Sequence, residues 1–138
     1  MGFKVHTVSD NAVPPHEWIN AKDGVDYVAG QVLSLKDGTV DVLKSGGSAD
    51  YICQRTGKAI NGQVPCVKVT DNVKFAVPFN ASASSVKPGM TVAVHTDGQA
   101  VTATAASGAG GFTVTAKDGD EAGSICYGYF ATKAGGAG

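Results

Sequence analysis

One phrase occurs twice in this chain and constrains its fold more than any other feature. It reads Ala29-Gly30-Gln31-Val32-Leu33-Ser34-Leu35-Lys36-Asp37-Gly38-Thr39-Val40-Asp41-Val42, and returns as Pro88-Gly89-Met90-Thr91-Val92-Ala93-Val94-His95-Thr96-Asp97-Gly98-Gln99-Ala100-Val101. Each copy places a small residue and glycine before a short β-branched run, then an Asp-Gly turn, then a second run. Asp-Gly supplies the positive φ angles of a tight reverse turn, so each copy is written as a β-hairpin. Neither copy contains a chemically specialised group, so the repetition points to a shape and a surface before it points to a reaction.

The rest of the chain reads the same way. Lys4 to Ser9 alternates like a strand, and Asp10-Asn11-Ala12-Val13-Pro14-Pro15 interrupts it before His16-Glu17-Trp18-Ile19. The two prolines exclude a helix there, so residues 1–20 are expected to be an extended N-terminal arm. Residues 21–131 are expected to be a β-domain holding the two hairpin units (29–42 and 88–101), and 132–138 a loose Gly/Ala tail with little to bury. Within the domain, Gly62 to Thr70 and Val73 to Phe79 read as a strand pair around a polar Asp71-Asn72 turn, with Val67, Val69, Val73, Phe75 and Val77 on the buried face. Gly111 to Ala116 and Ile125 to Phe130 flank an acidic turn. Roughly eight to ten short strands at this spacing predict an all-β fold, a small β-barrel or β-tulip/sandwich of short antiparallel strands.

Composition removes several classes of function. A chain of 138 residues buries roughly 65–70% of its unfolded surface in one domain. Its formal net charge of -1 comes without a block of like charge, so neither nucleic acid nor an anionic membrane is an expected partner. No window reaches the roughly 18 apolar residues of a membrane span, and the first residues lack an apolar export signal. Cys53, Cys66 and Cys126 are an odd number at wide spacing, without a C-x-x-C pair. They read as buried thiols acting as small hydrophobes, kept reduced in a cytosolic assembly setting.

Catalytic and metal constellations are not expected. His6, His16 and His95 are scattered, and Asp118, Asp120 and Glu121 lack the ligand spacing of a calcium loop. The Ala105 to Gly111 run lacks the Lys-Ser/Thr and the following helix of a phosphate loop. No cofactor is expected either. What stands out is aromatic: Trp18, the only tryptophan, sits in a polar segment, as an anchor for a partner's pocket would. The alternative is an arm that folds back onto its own domain. Tyr127 and Tyr129 share one strand face beside Phe130, and Gly128 between them marks a spot where another backbone can approach closely.

The arm, the 29–35 and 37–40 segments, Gly62-Gln63-Val64-Pro65-Cys66-Val67-Lys68-Val69 and Lys87-Pro88-Gly89-Met90-Thr91-Val92-Ala93-Val94 together resemble, over residues 25–130, the head-decoration (cement) proteins of tailed bacteriophages. The resemblance implies a non-enzymatic β-domain that is made in the host cytoplasm. It would bind the outer surface of an assembled capsid in the virion and stabilise that shell. Its partners would be the major capsid protein and itself, as a homotrimer sooner than a dimer. On that reading the arm residues Phe3, Val5, Val8, Val13, Pro14, Pro15, Trp18 and Ile19 face the capsid, and Tyr127, Tyr129 and Phe130 face a neighbouring copy. A different class, a virion spike or fibre-base domain, would instead bind a host receptor or glycan through the Gly-rich loops 45–48 and 107–111.

Overall fold

The computed structural model describes residues 2–8 (backbone only at 7 and 8), 16–44, 47–70, 73–106 and 110–130. Eleven strands run through them: β1 (Lys4–Val8), β2 (His16–Asn20), β3 (Val32–Lys36), β4 (Thr39–Val42), β5 (Tyr51–Cys53), β6 (Gln63–Lys68), β7 (Val73–Pro78), β8 (Thr91–Val94), β9 (Val101–Ala105), β10 (Phe112–Lys117) and β11 (Ile125–Phe130). They make a six-stranded sheet, β1-β7-β11-β10-β8-β9, and a five-stranded sheet, β2-β6-β5-β3-β4. The all-β expectation holds, and the arrangement is sandwich-like. Single parallel bridges, Ala21 to Val40 and Phe79 to Val101, show both sheets curling without closing into a barrel.

Both repeated phrases fold as hairpins, β3 on β4 and β8 on β9. They lie in different sheets, and the turn of the second docks on the first. Val32 N–H donates to the Gly98 carbonyl at 2.8 Å, and Gln31 Nε2 donates to the Asp97 carbonyl at 3.1 Å. Gly98 holds a φ of 73°, and a Cβ there would lie 2.8 Å from Val42 Cγ2. Gly98→Ala is therefore expected to cost about 1–3 kcal/mol through left-handed strain plus overpacking, measured as a lower urea midpoint at unchanged slope.

Two expectations are corrected here. Residues 62–70 and 73–79 do not pair with each other: β6 belongs to the five-stranded sheet and β7 to the six-stranded one. The chain therefore passes from one sheet to the other between β6 and β7. The residues assigned to the buried face are all buried nonetheless, from Val67 to Val77. The separate arm is also replaced, because β1 pairs with β7 and β2 with β6. Each adds an edge strand to a different sheet, and β2 alternates in burial along its length. The eleven strands exceed the eight to ten expected because these two arm segments join the sheets.

Two cores account for the burial. The larger joins Phe3, Phe75, Val77, Val92, Phe112, Val114, Cys126 and Phe130 from the six-stranded side to Val32, Leu43 and Ile52 from the other. Phe130 lies at its centre, with ring centroids 4.9 Å from Phe3, 5.6 Å from Phe75 and 5.2 Å from Phe112. The second core contains Ala21, Tyr27, Leu33, Val40, Cys53, Val64 and Cys66. Neighbours along one strand enter opposite cores, Val32 the first and Leu33 the second, Ile52 the first and Cys53 the second. The five-stranded sheet is thus buried on both faces, which is why its inner strands read as continuous apolar runs. The Tyr27 hydroxyl keeps its polar end satisfied in the second core by donating to the Val40 carbonyl at 2.6 Å and accepting from Lys22 N–H at 3.0 Å.

Candidate docking site

The edge strands β1 and β2 flank a cleft of about 460 Å³ between the layers. Its apolar walls are Phe3, Val5, Ile52, Val67 and Phe75, with Lys4, His16 and Gln54 supplying polar groups. One wall is pinned by a close backbone crossing, where Phe3 N–H donates to the Gly30 carbonyl at 2.8 Å. A Cβ on Gly2 would sit 2.8 Å from that same oxygen, so the crossing requires glycine.

Trp18 stands on β2 and is 52% exposed. Its backbone orientation follows from its cross-strand neighbour, Pro65. The Pro65 carbonyl accepts from Gln54 N–H at 2.9 Å, on the β5 side. N–H and C=O of one strand residue point the same way, so Trp18 and Pro65 form a non-hydrogen-bonded pair. The backbone groups of Trp18 therefore point off the outer edge of the sheet. An edge with this orientation and a large aromatic is suited to docking an extended segment of another protein.

The structure separates the residues expected to meet a partner. Val5 is 39% exposed and Trp18 remains accessible, whereas Phe3 is 2% exposed and belongs to the aromatic core. Phe3 is therefore corrected from contact residue to core residue, since Gly2 and Gly30 let the chain terminus cross over and bury it. Ile19 is half-buried against the second core, because alternation along β2 turns it opposite to Trp18. Val13, Pro14, Pro15 and the Val8 side chain lie outside the described residues. Among the residues expected at a copy-to-copy interface, Phe130 is corrected likewise: at 1% exposure it faces inward. Tyr127 and Tyr129 face outward, the latter 37% exposed. Tyr127 donates to Asp118 at 2.8 Å and stacks on His6 at 4.4 Å. The backbone that approaches Gly128 is the protein's own β10, at Thr113.

Of the Gly-rich loops, Gly47 and Gly110 pack against each other, and residues 45–46 and 107–109 lie outside the described residues. Sequence reasoning missed Lys4, His16 and Gln54 at the cleft. The only signal for them was their position beside strands whose pairing is non-local.

All three cysteines are free and buried. Burial pushes the thiols of Cys66 and Cys126 up to about 12, from an ordinary value of 9.0, and raises Cys53 as well. The folded thiols hold their protons where unfolded ones release them, so the unfolded state binds fewer protons above pH 9. Their contribution to stability is complete below about pH 9 and declines as pH rises from there toward about 12. At pH 8 all three are expected to react with a bulky thiol reagent orders of magnitude more slowly in the native protein than in urea, read as absorbance against time.

Among the described residues no group of three His, Cys, Asp or Glu side chains could hold a metal ion. No helix long and apolar enough to cross a membrane occurs among them. Compared with protein-family profiles, with curated proteins and with solved structures, the chain matches none.

Proposed function

We propose that this protein is a non-enzymatic structural module that docks onto the outer surface of an assembled phage capsid and stabilises it, with β2 and the adjoining cleft as the contact. The observation that carries the reading is Trp18, an exposed aromatic on an edge strand whose backbone groups point outward. The resemblance of residues 25–130 to head-decoration proteins supplies the partner, the major capsid protein. A module of this kind stabilises a shell by mass action, because it binds the assembled state in preference to free subunits. Self-association as a trimer would multiply modest contacts through effective concentration, with Tyr129 and Tyr127 on the outer sheet face available to a neighbouring copy.

The test is co-sedimentation with undecorated capsids, alongside mass by light scattering. Saturable binding in a fixed ratio is expected, and Trp18→Ala is expected to weaken it about 30-fold or more, as a central aromatic hot spot does. The same variant should keep its unfolding free energy within about 0.5 kcal/mol, since the side chain is outside both cores. Undiminished binding by Trp18→Ala would move the contact elsewhere on the surface, and absence of binding at micromolar protein would defeat the capsid reading.

A further inference from the structure

We propose that Cys53 and Cys66 are a latent cross-strand disulfide site, able to cross-link β5 to β6 when the folded protein meets a disulfide oxidant. The two residues are direct partners in the antiparallel register of β5 and β6. Directly opposed residues project from the same face, and both side chains belong to the second core.

The backbone bonding specifies the kind of pair. Cys53 N–H donates to the Gln31 carbonyl at 2.9 Å, and the Cys53 carbonyl accepts from Gly30 N–H at 2.8 Å. Both backbone groups of Cys53 are committed away from β6, so Cys53 and Cys66 are a non-hydrogen-bonded pair. In such a pair the Cα atoms are about 4.5 Å apart and the side chains at their closest, inside the roughly 4.4–6.8 Å that a disulfide spans.

At present each thiol turns along its own strand. Cys53 Sγ contacts the Arg55 carbonyl at 3.1 Å and Cys66 Sγ the Val64 carbonyl at 3.7 Å. Rotation about χ1 redirects both sulfurs without relocating the strands. Cys126 lies in the other core, with no cysteine beside it there.

The chemistry balances with oxidised glutathione as the oxidant. One cysteine thiolate attacks the glutathione disulfide and releases one glutathione thiolate. The second cysteine thiolate then displaces the remaining glutathione, so the protein loses two protons and two electrons and the oxidant becomes two thiols. Burial of both groups makes the native protein slow to react, with entry through local opening or during folding.

The test refolds the full reduced chain in excess oxidised glutathione and, in parallel, exposes the native protein to the same oxidant. Thiols are counted after unfolding, and the linked peptides are identified by mass spectrometry. The count is expected to fall from three to one, with Cys53 joined to Cys66, Cys126 free, and a higher thermal midpoint that reverts on reduction. Cys126→Ala is expected to lose both remaining thiols, and Cys66→Ala to form no intramolecular bond. Oxidation of the chain held in urea supplies the comparison, giving a mixture of all three pairings. A count that stays at three, a persistent glutathione adduct, or the urea mixture recurring in folded protein would each overturn the proposal.

Discussion

Gly128→Ala is expected to be the most damaging single-methyl addition to the protein, lowering its stability by about 4 kcal/mol or preventing folding, the range reserved for core disruption. Gly128 is buried on β11 opposite Val114, where the β10–β11 register shifts between Val114 and Ala116. A Cβ would fall far inside van der Waals contact distance of the Thr113 carbonyl oxygen and 3.1 Å from the Phe112 ring. The first of these is backbone and cannot rotate away, so β10 and β11 must separate at the centre of the six-stranded sheet. Urea unfolding followed by tryptophan fluorescence would read the loss, and an unchanged midpoint would show that the hairpin has another way to pair.

Phe130→Ala is expected to cost about 3–5 kcal/mol, the transfer free energy of a buried ring plus the cavity it leaves. The ring touches Phe3, Phe75 and Phe112, which are buried themselves and come from three other strands or their flanks. Collapse of the site would require movement in β1, β7 and β10 together, so the cost belongs at the upper end. Tyr129→Ala, one residue away on the opposite face, serves as the control and should change stability by less than about 1 kcal/mol, because its ring is exposed. Equal losses at the two positions would contradict the assignment of faces along β11.

Particular residues show how far local sequence carried the fold. Alternation placed Val67, Val69, Val73, Phe75 and Val77 on buried faces correctly. It could not identify their partners, because two strands of one hairpin and two strands in facing layers share the same period of two. The polar Asp71-Asn72 pair therefore read as a hairpin turn, although β6 and β7 lie in different sheets. Gly128 was legible as a place of close backbone approach, although the approaching strand is internal.

The candidate site was legible only in part. Trp18 stood out as a lone aromatic in a polar segment, and it is exposed on an edge strand. Phe3 and Phe130 looked equally available, yet both are core. Nothing within a few residues of Phe3 signals that Gly2 will cross Gly30 and carry the ring inward.

Strand content, both repeated hairpins with their Asp-Gly turns, and the face on which most apolar side chains are buried were legible from the residues alone. These follow from φ/ψ preference and side-chain period, which are properties of a few successive residues. Long-range packing set which sheet each strand joins, that the arm segments become edge strands, where the cleft opens, and that Cys53 lies opposite Cys66. Those choices rest on pairings between distant segments competing for the same backbone hydrogen bonds and the same apolar surface, and no local window contains both competitors.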